Sequence, residues 1–251
     1  MKYMGSKNRI AKHILPIILK NRKENQYYIE PFVGGANMID KVSGKRIGLD
    51  LNPYLISLFK GLQDSEDLIF EIDKELYDKA RTQYNNEIKG LNIIGNRFSS
   101  FELGWIGFMA SANGRFFEGG YSGKSITKDG LTRDYIKESI NNILKQKENL
   151  IDIDFFNKDY RDFNYPNNSI IYCDIPYKDT KAYSFSKKFN YEEFYDWVRN
   201  MNNKGHEIFI SEYSMPNDFK IIWEQEVKSS LSANNISGGN KTSIERLFVL
   251  K

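Results

Sequence analysis

The stretch of sequence that indicates the architecture of this chain runs from residue 27 to residue 50 and reads YYIEPFVGGANMIDKVSGKRIGLD. Its first four residues are predicted to form a strand that ends in an acid, and a Pro-Phe-Val-Gly-Gly loop follows. A short helix is predicted from about Ala36, and residues 46–50 are predicted to form a second strand ending in Asp50. The order strand, glycine loop, helix, strand, acid is typical of the opening of a parallel α/β sheet.

Helix-capping residues lie on both sides of this stretch. Upstream, Ser6 is predicted to cap a helix that extends to about residue 22. Downstream, Asn52 is predicted to be an N-cap with Pro53 at the first helical position, which opens a helix to about residue 63. The first quarter of the chain therefore predicts one continuous α/β unit.

The middle of the chain has a different character. Helices are predicted over residues 65–87, 98–110 and 134–149, and Asn113-Gly114 is a hairpin-turn signal between them. We interpret residues 64–149 as an inserted, mostly helical domain that carries a hairpin. Residues 1–63 and 150–251 would then form the second domain, which holds the α/β sheet.

The α/β pattern resumes after the predicted insert. A final antiparallel pair is predicted to close the sheet, and the Ser-, Asn- and Gly-rich residues 229–242 that join its strands are expected to be mobile. The predicted elements are strands at 153–157, 169–173, 207–211, 219–227 and 244–250 and a helix at 191–202.

Composition excludes several classes of protein. The 251 residues are 40% apolar, enough for a packed core, and the net charge is only +3. A single cysteine and two distant histidines predict neither a disulfide framework nor a metal site. No apolar run reaches the length of a membrane span and no signal peptide is evident, so we expect a cytoplasmic monomer with no membrane partner and no obligatory protein partner.

The most informative motif is Asp174-Ile175-Pro176-Tyr177, which follows the apolar residues 169–173. A strand that ends in this way presents a carboxylate, a main-chain carbonyl and an aromatic ring to one small space. Asp174 and the carbonyl of Ile175 can accept the two N–H groups of a planar amine, and Tyr177 can stack on its heterocycle. Taken alone, a proline this close to an acid is more often a plain turn.

A second set of residues fits a nucleoside. Asp50 ends the second strand, where its carboxylate can accept hydrogen bonds from ribose hydroxyls, and Gly34-Gly35 lets a ligand approach the backbone. The Gly-x-Gly-x-x-Gly fingerprint is absent from this loop, which disfavours a cofactor with a pyrophosphate.

These motifs, in this order, resemble those of the Dam-type (alpha-group) adenine-specific DNA methyltransferases, and they span nearly the whole chain. The resemblance implies an S-adenosylmethionine-dependent, Rossmann-like mixed sheet with a reversed last strand. It also implies site-specific methyl transfer to an adenine flipped out of double-stranded DNA, in restriction–modification or phage modification. The matching motifs are Tyr3-Met4-Gly5-Ser6-Lys7, Glu30-Pro31-Phe32-Val33-Gly34-Gly35, Asp50-Leu51-Asn52 and Asp174-Ile175-Pro176-Tyr177.

The resemblance also assigns roles to individual residues. Asp174, Ile175, Pro176 and Tyr177 match the catalytic motif, and no metal is implied. The resemblance implies that the insert of residues 64–149 is a target-recognition domain. Within it, the segment with Asn113 and Arg115 loosely resembles the recognition hairpin, and Lys124 is expected to contact phosphate. The residues implied to contact or pack against S-adenosylmethionine are Tyr3, Lys7, Phe32, Gly34, Asp50, Asp159, Tyr160 and Asp174.

Two positions depart from the family pattern. Ala36 stands where many relatives have a third glycine, and Ile175 stands where proline is usual. Since the second motif position supplies only a main-chain carbonyl, we expect activity to be retained. The alternatives are a catalytically impaired DNA-binding relative, or the same chemistry on RNA or on a protein amide.

Overall fold

A computed structural model of the protein describes residues 1–92, 95, 97–178, 189–228 and 242–251. Of the segment expected to be mobile, residues 229–241 lie outside these ranges. No helix in the described ranges combines the length and the apolar character needed to cross a membrane.

The helices are α1 Ala11–Ile18, α2 Pro53–Gln63, α3 Lys74–Ile88, α4 Ser100–Met109, α5 Tyr135–Leu150 and α6 Tyr191–Asn203. The strands are β1 Tyr28–Glu30, β2 Arg46–Asp50, β3 Lys124–Ile126, β4 Thr132–Asp134, β5 Ile153–Asn157, β6 Ile170–Asp174, β7 Glu207–Glu212, β8 Phe219–Lys228 and β9 Thr242–Leu250.

Most strands belong to one mixed sheet. Within the described residues it has seven strands in the order β5-β2-β1-β6-β7-β9-β8. The first five are parallel to one another, and β9 runs antiparallel to both β7 and β8. The mostly parallel α/β sheet predicted from the sequence is confirmed, as is the antiparallel pair at its end.

The central strands are apolar because both faces of the sheet are covered. Successive residues of a strand point to opposite faces, and in β1 Tyr28 joins one hydrophobic cluster while Ile29 joins the other. The first cluster contains buried residues of α1, α2, α4 and α5, and the second contains Phe194 and Val198 of α6. The arrangement is a three-layer α/β sandwich.

The helical block of residues 64–149 packs tightly on the α/β unit. A Cβ at Gly104 of α4 would lie 2.3 Å from the main-chain oxygen of Tyr54 in α2, so the two helices approach at backbone distance. The buried apolar side chains of α3, α4 and α5 belong to the same hydrophobic cluster as those of α2. The boundaries at residues 64 and 149 stay a prediction.

The hairpin predicted at Asn113-Gly114 is present only as a turn. Asn113 and Gly114 both have positive φ, and Arg115 N–H bonds the Ala112 carbonyl at 3.3 Å, as in a two-residue turn. The next residues, Phe116 and Phe117, are buried in the core, so no ladder of strand pairs extends from the turn. The two-stranded hairpin is instead β3–β4, ten residues further along the chain.

Three of the predicted helices are substantially shorter in the structure. The first is split into a 3-10 turn, Lys7–Arg9, and α1, which ends at Ile18. Beyond it, the guanidinium of Arg22 donates to the main-chain carbonyls of Gln26, Ser43 and Lys45. The helix predicted near residue 36 is only a 3-10 turn, Ile39–Lys41. The helix predicted from residue 65 begins at Lys74, where Asp73 supplies the N-cap.

Gly104→Ala is expected to destabilise the protein. Helix propensity alone would favour alanine by about 1 kcal/mol, but the new methyl group would press against a main-chain carbonyl that cannot rotate away. We expect a net loss of about 2 kcal/mol in the free energy of unfolding, measured by urea denaturation. Ser100→Ala, at an exposed position of the same helix, is the control. A Gly104→Ala protein as stable as wild type would contradict the close packing of α2 and α4.

Candidate active site

Three acids lie at the carboxyl ends of adjacent parallel strands. Glu30 ends β1, Asp50 ends β2 and Asp174 ends β6. Because β1 pairs with both β2 and β6, the two outer acids flank it at one edge of the sheet. Strand spacing places their backbones about 10 Å apart. This edge is where ligands bind in open α/β sheets.

The glycine loop after β1 is attached to Asp50. The N–H of Gly34 donates to Oδ2 of Asp50 at 3.1 Å, and the N–H of Asn52 donates to Oδ1 at 2.9 Å. Gly34 has a φ of +46°, a conformation that suits glycine. Burial raises the pKa of Asp50 to about 6, although these N–H bonds oppose the shift.

Tyr3 lies directly over this loop. A Cβ at Gly35 would lie 2.6 Å from the Cβ of Tyr3, and one at Gly34 would lie 2.9 Å from its ring. On its other side, the Tyr3 ring is 6.0 Å from the ring of Phe108 in α4. A Cβ at Gly114 would lie 2.3 Å from the carbonyl oxygen of Lys2. The N-terminal segment therefore joins the glycine loop to the Asn113-Gly114 turn.

Lys7 lies in the middle of a charged cluster at the end of β6. Its Nζ is 3.1 Å from Oδ1 of Asp174 and 3.7 Å from Oε2 of Glu245, and it lies 4.3 Å from the centre of the Tyr177 ring. The Tyr177 hydroxyl donates to Oε2 of Glu245 at 2.6 Å. A lysine predicted to touch a cofactor is thus bound to the first residue of the predicted catalytic motif.

Burial and charge act in opposite directions on this pair. Burial raises the pKa of Asp174 to about 6, and the nearby ammonium of Lys7 limits the rise. For Lys7, burial alone would lower the pKa, but the charges of Asp174 and Glu245 raise it above its ordinary value. A quarter of the Asp174 side chain stays exposed, so the carboxylate is accessible from the edge of the sheet.

The predicted catalytic motif is held from both sides. The side chain of Ile175 is buried in the second hydrophobic cluster. The carbonyl of Pro176 accepts the Tyr191 hydroxyl at 2.9 Å, and Glu212 at the end of β7 accepts the N–H of Lys178 at 2.6 Å. Because the chain is fixed before and after Tyr177, the position of that ring is determined by several bonds.

Asp159 and Tyr160, the pair predicted to contact the adenine of the cofactor, both contact other side chains of the protein. Tyr160 is buried, with its ring 5.3 Å from that of Phe32 and 5.0 Å from that of Trp197. The Asp159 carboxylate is bound by the guanidinium of Arg161, which lowers the pKa of Asp159 although its partial burial acts the other way. The acid of this predicted pair is therefore already occupied by a cation.

The residues predicted to contact DNA lie in two separate places. Asn113 is exposed in the turn after α4, and Arg115 is half-buried, with an Nε that has no hydrogen-bond partner within the described residues. Lys124 lies on the β3–β4 hairpin, 3.7 Å from Asp134. The structure does not bring all three into one hairpin.

Three residues of the site were missed at the sequence level. Glu212 could have been found, because it ends a parallel strand as Asp50 and Asp174 do. Glu245 and Tyr191 carry no such signal. Glu245 lies within the antiparallel strand β9, and its partners are distant in sequence.

Comparison with known proteins agrees with this geometry. No curated protein sequence gives a significant match to the chain. The family model described as D12 class N6 adenine-specific DNA methyltransferase matches residues 3–233, which is most of the chain. The resemblance to Dam-type enzymes is consistent with that family. The chain therefore belongs to the D12 class of N6 adenine-specific DNA methyltransferases.

Proposed function

We propose that this protein transfers a methyl group from S-adenosylmethionine to the N6 amine of an adenine that has rotated out of double-stranded DNA, at a specific sequence. Membership of the family supports methylation of adenine N6 in DNA. The observation that carries the proposal is the position of Asp174, which ends β6 at the same edge of the sheet as Asp50 and the glycine loop.

The edge formed by β1 and β2 suits S-adenosylmethionine. Each carboxylate oxygen of Asp50 accepts one N–H and keeps capacity for a ribose hydroxyl. Gly34 and Gly35 leave room for Tyr3, because a Cβ at either position would lie too close to it. Phe32 and Tyr160 offer aromatic surface for the adenine ring of the cofactor. Since the Asp159 carboxylate already accepts hydrogen bonds from Arg161, we propose that it contributes less to binding this adenine ring than Phe32 and Tyr160 do.

In this proposal, Asp174 and the Ile175 carbonyl accept the two N–H groups of the target amine. The amine of adenine is a poor nucleophile because its lone pair is delocalised into the ring, and these two bonds favour a pyramidal nitrogen. S-adenosylmethionine supplies an electrophilic sulfonium methyl group. Tyr177 stacks on the base, and Asp174 accepts the proton that the methylated nitrogen loses. The chain contributes position and charge complementarity.

The target base must leave the duplex to reach Asp174, because an adenine inside the helix cannot present its amine to a buried pocket. We assign base reading to Asn113 and Arg115 and phosphate contact to Lys124. The exposed hairpin residues Ile126 and Leu131, 77% and 69% exposed, lie on the same hairpin as Lys124. Action as a monomer and a role in restriction–modification or phage modification stay predictions.

Two alternatives are less well supported. The substrate class of the family favours DNA over RNA or a protein amide. A catalytically impaired protein was suggested by Ile175, yet this side chain is buried in an apolar cluster and supplies only its carbonyl to the proposed reaction.

Methylation mapping tests the proposal directly. Plasmid DNA from cells that express the protein should carry N6-methyladenine at one sequence, detected by single-molecule sequencing. Asp174→Ala should remove the signal because the amine loses its charged acceptor. Asp154→Asn changes an exposed acid within β5 and should leave the signal unchanged. Unmodified DNA from cells with folded wild-type protein would contradict the proposed function.

Cofactor affinity should depend on the ionisation of Asp50. A carboxylate with a pKa raised to about 6 is charged only above that pH, and the charged form is the better acceptor for ribose hydroxyls. Affinity measured by calorimetry should therefore fall by up to about tenfold from about pH 7.5 to about pH 5. Asp50→Asn should bind weakly with a smaller pH dependence. An equal fall with pH in both proteins would assign the effect to another group.

Arg115 and Lys124 should affect DNA binding differently. Arg115→Ala should lower the affinity for a duplex with the mapped site by about tenfold, with little effect on unrelated duplexes, because a base contact carries specificity. Lys124→Ala should weaken both duplexes similarly, because phosphate contacts carry no sequence information. Fluorescence anisotropy at constant salt measures both. Equal losses on the two duplexes for Arg115→Ala would exclude a base-reading role.

A further inference from the structure

In this structure the ammonium of Lys7 occupies the place that the target adenine needs. Its Nζ donates to Asp174 at 3.1 Å, where the target amine would donate, and it lies 4.3 Å from the ring centre of Tyr177, where the base would stack. Only 10% of the Lys7 side chain is exposed. Entry of the base therefore requires Lys7 to leave Asp174.

Glu245 is a second carboxylate close to this ammonium, which also donates to the main-chain carbonyl of Gly5 at 3.4 Å. Its Oε2 lies 3.7 Å from Nζ of Lys7, and 13% of its side chain is exposed. The same oxygen accepts the Tyr177 hydroxyl, which fixes the carboxylate beside the ring. Glu245 lies on β9, outside residues 3–233, so the family match assigns it no role.

We propose that Glu245 is a positioning residue that takes over the Lys7 ammonium when the target amine reaches Asp174. The inference rests on the proposed function and deepens it. In the free enzyme Lys7 holds the place of the amine, and in the DNA-bound enzyme it pairs with Glu245 instead.

The physical argument is the cost of an unpaired buried charge. An ammonium that left Asp174 without another carboxylate would lose its charged partner in a mostly buried site and keep only a neutral carbonyl acceptor, which is strongly unfavourable. Glu245 already lies close, so the transfer needs only a short movement of a flexible side chain. In this structure both acids raise the pKa of Lys7 against the effect of burial, so the group that has to move carries its charge. The movement restores the full acceptor capacity of Asp174 for the target amine.

A double-mutant cycle tests this coupling. The proteins are wild type, Glu245→Gln, Lys7→Met and the double variant, with Glu226→Gln on the neighbouring strand β8 as the matched control, since Glu226 is exposed. Single-turnover methyl transfer is measured on duplex DNA at cofactor concentrations that calorimetry shows to be saturating for each protein. Thermal unfolding confirms that each variant is folded.

We expect Glu245→Gln to slow methyl transfer about tenfold in the wild-type background, because Lys7 stays bound to Asp174. In the Lys7→Met background the same change should cost less than about threefold, because no ammonium needs a second partner. Glu226→Gln should match wild type. Equal losses in the two backgrounds, or no loss in the wild-type background, would overturn the inference.

Base extrusion gives an independent measurement that needs no cofactor. With 2-aminopurine at the target position, fluorescence on binding should be higher for Lys7→Met than for wild type, because the place of the base is no longer filled, and lower for Glu245→Gln. An unchanged signal for Lys7→Met would overturn the inference, even if that variant binds no cofactor. A wild-type protein that transfers no methyl group would instead contradict the proposed function itself.

Discussion

The parallel pairing of β1 with both β2 and β6 is the constraint on which the site depends. Parallel strands end at the same edge of a sheet, so this pairing alone brings Asp50 and Asp174 together from positions far apart in sequence. The glycine loop leaves β1 between them and is tied to Asp50 by a hydrogen bond. A shift of one residue in either pairing would turn one of these acids toward the other face of the sheet.

The N-terminal segment, residues 2–7, contacts three separate parts of the proposed site. Tyr3 covers the glycine loop, Lys2 contacts the backbone at Gly114, and Lys7 pairs with Asp174. One short segment thus contacts the loop assigned to the cofactor, the turn assigned to base reading and the proposed catalytic motif. Because all three contacts are close, a small displacement of the segment would disturb each of them.

Local signals made much of the fold predictable from the sequence. Residues 46–50 and 153–157 form strands with the predicted bounds, and α2 begins and ends as predicted because Asn52 caps it and Pro53 suits its first turn. The placement of Asp50 and Asp174 at the same edge of the sheet could also be predicted, because each of them ends a predicted strand. The family match confirms the resemblance on which the functional expectations rested.

What the sequence did not reveal depends on contacts between distant residues. The burial of Phe116 and Phe117 prevented a hairpin at Asn113-Gly114, although the turn itself formed. Glu245 reaches Tyr177 only because β9 enters the sheet beside β7.

The position of β9 has a consequence for the order in which the protein assembles. β9 comes after β8 in the chain but lies between β7 and β8 in the sheet. During synthesis β7 and β8 therefore leave the ribosome with open edges, and neither can be satisfied until residues 242–250 follow. Open edges of this kind invite pairing with other nascent chains. Residues 242–250 join β7 to β8 and bring Glu245 to Lys7 in one step, so a chain that has been synthesised only as far as β8 already carries Lys7 and Asp174 without the second carboxylate of this charged cluster.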